Sequence, residues 1–182
     1  PVTLAPATAL TRLDGQSVEL KTLRGKWLLV QASSGACDAA CEKRLYAMRQ
    51  ARLLQGREQD RVERLWLLTD GIAPRDELLK QKFEGMLALR DPAGAVLNRL
   101  PAKTVARDHI YVIDPLGNVM MRYDADPDLK RMGKDLGKLL RASRFIEDGY
   151  LPIVHTAWMR GALRVEQTAF ASPILSPISA DV

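Results

Sequence analysis

The stretch Lys26–Gln50, KWLLVQASSGACDAACEKRLYAMRQ, decides the fold because it joins an apolar run to a helical pattern. The crowded apolar residues of KWLLVQAS predict a buried β-strand. Beyond them, leucine and methionine recur at roughly helical spacing as far as Gln55, and Gly56 is suited to end the helix. The only two cysteines of the chain, Cys37 and Cys41, lie where the strand passes into the helix.

The rest of the chain continues this alternation of strands and helices. VERLWLLTD predicts a second strand, and APRDELLKQKFEG predicts a second helix with proline in its first turn. The stretch Met86–Thr104 is less regular, with a short helix expected around PAGAVLNRL. HIYVIDPLGNVMMRY predicts a β-hairpin, and DPDLKRMGKDLGKLLRAS predicts a closing amphipathic helix. This order is thioredoxin-like: an α/β fold whose mixed central sheet carries helices on both faces.

The position of the cysteines indicates chemistry at sulfur. Unpaired N–H groups and the positive end of the helix dipole stabilise a thiolate at the start of a helix. Such a thiolate exchanges with disulfides and binds soft metals. Cys37 and Cys41 are four residues apart, and a loop at Cys37 could bring their sulfurs close enough to pair. A purely structural disulfide, or two buried thiols, remains the alternative.

These segments resemble a known family. KWLLVQASSGACDAACEKRLYAMRQ, with its C-x-x-x-C, and DHIYVIDPLGNVMMRY are together similar to the Sco/SenC branch of the thioredoxin superfamily. The resemblance extends over roughly Leu10–Arg144. Ordinary thioredoxins carry C-x-x-C, and they place a cis-proline just before the strand that begins near His109, where this chain has none.

The resemblance implies a thiol–disulfide redox factor or a copper-delivery factor that assists assembly of the copper centre of cytochrome c oxidase. It makes Cys37 and Cys41 the catalytic thiols, and it makes Cys37, Cys41 and His109 the copper ligands. As an enzyme, the protein would be a thiol–disulfide oxidoreductase; otherwise it would be a metallochaperone. The implied partner is a cytochrome c oxidase subunit or another thiol protein. The implied location is the periplasmic face of the inner membrane, with a membrane tether upstream of the given chain.

Two other functions stay open from the residues themselves. A general thiol–disulfide reductase would use the same two cysteines without metal, and a binding module would keep their disulfide only for stability. The chain also departs from the family, because Asp38 and Glu42 follow the cysteines where the family commonly has prolines.

Composition supports one compact domain followed by an atypical tail. The chain has 182 residues and a net charge of +5, but its acids and bases interleave, which is typical of solvated helical faces rather than a nucleic-acid surface. It lacks a run of eighteen apolar residues, so the chain as given is expected to be soluble. We expect a thioredoxin-like domain over residues 1–144 and a C-terminal extension of unknown structure over residues 145–182.

Overall fold

The structure is a computed structural model that describes residues 2–5, 8–91, 93–102, 108–147, 153–160 and 163–170. Its strands and helices are β1 (Val2–Thr3), β2 (Ala9–Arg12), β3 (Ser17–Glu19), β4 (Trp27–Ser33), α1 (Ala39–Leu53), β5 (Val62–Leu68), β6 (Leu87–Arg90), β7 (Ile110–Ile113), β8 (Asn118–Tyr123), α2 (Leu129–Glu147), β9 (Ile153–Arg160) and β10 (Leu163–Phe170). The chain divides into two compact units, Pro1–Gly137 and Lys138–Val182. The domain division at residue 144 stays a prediction.

The first unit is built on an eight-stranded sheet in the order β1-β8-β7-β4-β5-β6-β2-β3. Strand β4 lies near its centre, parallel to β5 on one side and antiparallel to β7 on the other. All seven side chains of β4 are buried, which explains why its sequence is a nearly continuous apolar run rather than an alternating one. The predicted thioredoxin-like order with a mixed central sheet is confirmed.

Helix α1 packs on one face of this sheet, against β4 and β5. The buried side chains of α1 recur every three or four residues, which places them on one stripe that faces the strands. They are Cys41, Arg44, Leu45, Ala47, Met48 and Ala51. Because only the loop of residues 34–38 separates β4 from α1, the two cysteines lie at the carboxyl end of the central strand.

The opposite face of the sheet carries a cluster of buried hydrophobic residues that includes Val30, Leu65 and Tyr111. It is covered by N-terminal residues and by two short helical turns, Leu20–Leu23 and Leu97–Arg99. The second turn is held by Asp91, whose carboxylate accepts hydrogen bonds from the N–H groups of Ala95, Val96 and Leu97. The short helix expected around PAGAVLNRL is therefore a single turn.

The helix predicted over APRDELLKQKFEG is wrong in length. The structure there is helical only over residues 76–82, and its last part, Leu78–Lys82, is a wide helical turn after which the N–H of Phe83 donates to the carbonyl of Leu78 at 2.7 Å. Leu78 and Phe83 are both buried, and side chains five residues apart share a face only when a helix widens to this spacing. The chain then enters β6, a strand that lies within the stretch expected to be irregular.

The second unit contains a β-hairpin in the region expected to be a tail without clear periodicity. Strands β9 and β10 pair antiparallel, with Ile153 opposite Phe170 and Arg160 opposite Leu163. Helix α2, which was predicted as the closing helix, begins at Leu129 in the first unit.

Candidate functional site

Cys37 and Cys41 form a disulfide, with their Cα atoms 5.2 Å apart. Cys37 lies in the loop after β4 and has a φ of +47°, so it occupies the left-handed region that non-glycine residues rarely adopt. Cys41 lies in the first turn of α1. The left-handed turn at Cys37 lets the loop fold back onto the helix, and the predicted pairing of the two cysteines is confirmed.

The two acids that follow the cysteines have other partners. Asp38 is the N-cap of α1, and its side chain accepts a hydrogen bond from the N–H of Cys41 at 2.8 Å. Glu42 forms ion pairs with Arg75, at 2.7 Å, and with Lys82. The hydrogen bond from Lys82 is the main cause of a lowered pKa of Glu42, and Arg75 contributes to the same effect. The negative charge beside Cys41 is therefore balanced by two cations.

Ser33 and Trp66, which are hydrogen-bonded to each other, position the sulfur of Cys41. The Ser33 hydroxyl oxygen lies 3.1 Å from Cys41 Sγ, and Trp66 Nε1 donates to that oxygen at 2.9 Å. A disulfide sulfur carries no hydrogen, so the Ser33 O–H is the donor to Cys41. Trp66 and Cys41 are at most 1% exposed and Ser33 is 8% exposed, so this chain of hydrogen bonds is largely shielded from solvent.

The disulfide opens onto a cavity of about 380 Å³. The lining side chains are Ser33, Ser34, Ala36, Cys37, Asp38, Cys41, Arg44 and Asp108. Arg44 is buried, and its Nε has no hydrogen-bond partner among the described residues. The positive charge of Arg44 favours thiolates over thiols when the disulfide is reduced, whereas the carboxylates of Asp38 and Asp108 in the same wall oppose this effect. Cys37 is 5% exposed and Cys41 only 1%, so an incoming group reaches Cys37 more readily.

Gly35 fixes the cysteine loop against the loop that follows β5. A Cβ atom at Gly35 would lie 1.9 Å from the carbonyl oxygen of Ile72, so only glycine allows this approach. The carboxylate of Asp70 accepts hydrogen bonds from the N–H groups of both Gly35 and Ile72. Ile72 itself is half exposed beside the cysteine loop, which gives a partner an apolar contact there.

His109 lies on the other face of the sheet. Its ring packs edge-on against Tyr111, with centroids 6.0 Å apart, and Tyr111 pairs with Val30 in the hydrophobic cluster of that face. Cys41 instead contacts Ser33, whose side chain lies on the α1 face. The imidazole Nδ1 is 3.5 Å from Asp124 Oδ1, and neither ring nitrogen has a well-formed hydrogen bond within the described chain.

The residues therefore do not fit a copper site made of Cys37, Cys41 and His109 in this disulfide form. Among the described residues, no three histidine, cysteine, aspartate or glutamate side chains come together as metal ligands. Asp108, the neighbour of His109, lines the cavity beside the cysteines. The role of His109 as a ligand stays a prediction.

Sequence reasoning missed Ser33, Arg44 and Trp66 as parts of the site. The strand pattern held a signal for Ser33: it follows the apolar run, and side chains alternate across a strand. Arg44 follows Cys41 by three residues, which places both on one face of α1. No sequence pattern indicates that Trp66 donates to Ser33, because these residues are 33 positions apart.

No helix in the described part of the chain is both long and apolar enough to cross a membrane. No curated protein sequence matches the chain significantly.

Solved structures with the same fold include copper proteins and thiol proteins. ScoI of Arabidopsis thaliana with copper bound has a TM-score of 0.59 at 19% identity, and the match covers 76% of this chain and 99% of that one. ScoI of Bradyrhizobium japonicum with copper bound has a TM-score of 0.53 at 19% identity, covering 71% and 95%. The bacterioferritin comigratory protein of Xanthomonas campestris, studied for alkyl peroxide reduction, has a TM-score of 0.55 at 13% identity, covering 79% and 96%.

The Sco/SenC resemblance is thus confirmed at the level of the fold. The family model described as "Transmembrane-like, thioredoxin-like, C-terminal domain" matches residues 27–143, which include β4, both cysteines, β5, the β7–β8 hairpin and most of α2. Because this match covers more than half of the sequence, the chain belongs to the family of transmembrane-like, thioredoxin-like C-terminal domains.

Proposed function

We propose that this protein carries out thiol–disulfide exchange with a protein partner through Cys37 and Cys41. The observation that carries the proposal is the Cys37–Cys41 disulfide in the wall of a cavity, with a hydroxyl donor already placed on Cys41 Sγ. A purely structural disulfide does not need an adjoining cavity or a hydrogen bond to one sulfur.

The exchange follows from the positions of the two sulfurs. A partner thiolate attacks Cys37 Sγ, a new S–S bond forms between partner and Cys37, and the Cys37–Cys41 bond breaks. The electron pair of the broken bond leaves on Cys41 as a thiolate. The Ser33 O–H and the start of α1 stabilise that charge. A second partner thiolate then attacks the partner sulfur of the mixed disulfide, so a disulfide forms within the partner and Cys37 leaves as a thiolate. Two electrons have then passed from the partner to Cys37 and Cys41.

The reverse direction uses the same groups. In the reduced protein, Cys37 attacks a partner disulfide and Cys41 resolves the mixed disulfide. The difference in exposure, 5% for Cys37 against 1% for Cys41, supports these roles. The polar and charged groups of the cavity wall, Asp38, Arg44 and Asp108, suit a polar segment of the partner chain.

Copper delivery for cytochrome c oxidase assembly is the second candidate, favoured by the two sulfurs that become free when the disulfide is reduced. Thiolates are soft ligands that select Cu(I). We place this function second because the third predicted ligand, His109, packs on Tyr111 on the opposite face. A copper-bearing oxidase subunit is the specific partner that we propose within the broader class of thiol proteins. The location that we propose is the periplasmic face of the inner membrane, because the periplasm is an oxidising compartment in which disulfides persist.

A redox titration combined with trapping tests the exchange. The protein is equilibrated with mixtures of reduced and oxidised glutathione, and the fraction of disulfide is read by thiol alkylation and mass. We expect a reversible two-electron transition. The Cys41→Ser variant should accumulate a mixed disulfide at Cys37, whereas the matched Cys37→Ser variant should react more slowly because Cys41 is more deeply buried. If the disulfide resists reduction in the folded protein, or if it re-forms only between molecules, the proposal is wrong.

A further inference from the structure

A second cavity, of about 290 Å³, lies away from the cysteines. It is lined by Arg49, Arg52, Leu53, Arg64, Gln81, Glu84 and Gly85. Arg49 follows Cys41 by eight residues on α1, so it lies about 12 Å farther along the helix at the rise of an α-helix. Neither cysteine lines this cavity, and the exchange reaction described above makes no use of it.

The central feature of this cavity is a buried guanidinium. Arg64 is 4% exposed, and its position in β5 places it on the α1 face of the sheet, in register with Leu29. Its Nη2 donates to the carbonyl oxygen of Glu84. Its Nε and Nη1 have no hydrogen-bond partner among the residues that the structure describes. A buried cation with two unsatisfied donors costs free energy unless something accepts from them.

The charges around Arg64 increase that cost. Burial lowers the pKa of Arg64, and the positive charges of Arg52 and Arg49 lower it further, while Glu63 opposes them. The guanidinium of Arg52 is held in place, because its Nε donates to the carbonyl oxygen of Val62 at 2.8 Å. The cavity thus gathers cations that repel one another.

The wall of the cavity offers little to neutralise these cations. It contains three arginines and one carboxylate, that of Glu84, which lies on an exposed residue. Arg52 shares a second contact with Asp60, at 3.4 Å, but Asp60 does not line the cavity. A ligand with negative oxygens would accept hydrogen bonds from the arginines that line the cavity and would reduce the repulsion among them.

We propose that this cavity binds a phosphate group, either as inorganic phosphate or as part of a small phosphomonoester. Guanidinium groups pair with phosphate oxygens through two parallel hydrogen bonds, and a dianion matches several arginines better than a single carboxylate does. The volume is just below the range of cavities that hold drug-sized ligands, which suits a small anion. The inference does not depend on the proposed exchange reaction.

The test uses the full chain and two probes, inorganic phosphate and phenyl phosphate, with chloride at the same ionic strength as the reference. Binding is measured by calorimetry and by the shift of the midpoint of thermal unfolding, because a ligand that binds only the folded state raises that midpoint. We expect both readouts to respond to millimolar phosphate and not to chloride. Tighter binding of phenyl phosphate would identify a phosphomonoester as the ligand, and exclusion of phenyl phosphate would identify free phosphate.

Three variants locate the site. Arg64→Met keeps most of the side-chain volume and should weaken phosphate binding by roughly tenfold or more, since hydrogen bonds to charged groups are lost. Arg49→Gln changes an exposed residue, is expected to fold, and should also weaken binding. Arg12→Gln removes an exposed arginine that does not line the cavity and should leave binding unchanged. If Arg64→Met does not fold, the phosphate affinity of Arg49→Gln decides whether this cavity is the binding site. The proposal is overturned if phosphate acts no differently from chloride, or if Arg49→Gln binds phosphate as tightly as Arg12→Gln does.

Discussion

The hydroxyl oxygen of Ser33 lies 3.1 Å from the sulfur of Cys41 and accepts a hydrogen bond from Trp66 at 2.9 Å. The hydroxyl therefore donates to the sulfur while its own oxygen is polarised by the indole N–H. A thiolate on Cys41 gains more from this donor than a disulfide sulfur does, because hydrogen bonds to charged acceptors are stronger than those to neutral ones. The pair thus stabilises the reduced form relative to the oxidised form.

Replacing Ser33 by alanine should make the reduction potential of the Cys37–Cys41 couple more negative by about 30 mV, which corresponds to about 1.4 kcal/mol for two electrons. The measurement is a glutathione titration at a pH at which the thiols are ionised. Loss of the Trp66 bond affects both redox forms and so cancels in the potential. Ser34→Ala is the matched control, since the Ser34 hydroxyl accepts from the N–H of Ala36 and the potential should move less. An unchanged or more positive potential in Ser33→Ala would contradict this role.

Replacing Gly35 by alanine should destabilise the protein and displace the cysteine loop. The new methyl group would lie 1.9 Å from the carbonyl oxygen of Ile72, and neither backbone segment can yield without losing its hydrogen bond to Asp70. Overpacking of this kind costs about 1–3 kcal/mol of unfolding free energy. Gly71→Ala is the control, because a Cβ at Gly71 meets nothing within 4 Å. The midpoints of thermal unfolding of the two variants are compared. Equal midpoints would show that the cysteine loop accommodates the methyl group without loss of stability, which would contradict the prediction.

The ion pairs of Glu42 should make part of the free energy of unfolding depend on pH. Because Lys82 and Arg75 lower the pKa of Glu42 in the folded protein, its contribution is complete above the ordinary pKa of a glutamate. The contribution is lost as the pH falls through the lowered value. Glu42→Gln should therefore reduce the unfolding free energy at neutral pH and make little difference in strong acid. The exposed Glu77 offers the control variant Glu77→Gln, for which urea unfolding at both pH values should show a smaller effect. A difference that grows on acidification would contradict the assignment.

The central fold could be predicted because its signals are local. The apolar run of β4, the helical spacing of α1 and the turn Asp114–Asn118 each follow from nearby residues. Strand β6 could not be recognised in this way. It has only four residues, and it is a strand because β5 and β2 pair with it on its two sides.

The hairpin of the second unit did have a sequence signal. Two runs of eight residues, rich in β-branched and aromatic side chains, are separated in the sequence by Gly161 and Ala162, which is a typical hairpin spacing. The site was only half predictable for a different reason. The cysteines are marked by their spacing, whereas Ser33 and Trp66 acquire their roles from neighbours that the fold brings together.

Replacing His109 by alanine tests the copper function most directly. The ring of His109 packs on Tyr111, and Tyr111 pairs with Val30 on the face of the sheet opposite to Ser33 and Cys41. We therefore expect the Cu(I) affinity of the reduced protein to be unchanged in His109→Ala.

A competition titration against a chromogenic Cu(I) chelator measures this affinity, with Cys37→Ser as the variant that removes a sulfur. Loss of a ligand or its support costs about 10–100-fold in metal affinity. Such a loss in His109→Ala would mean that His109 moves next to the cysteines when the disulfide is reduced. Copper delivery would then be favoured over thiol–disulfide exchange as the function. Copper binding that depends on Cys37 but not on His109 would instead assign the metal to the sulfurs and leave exchange as the function of the site.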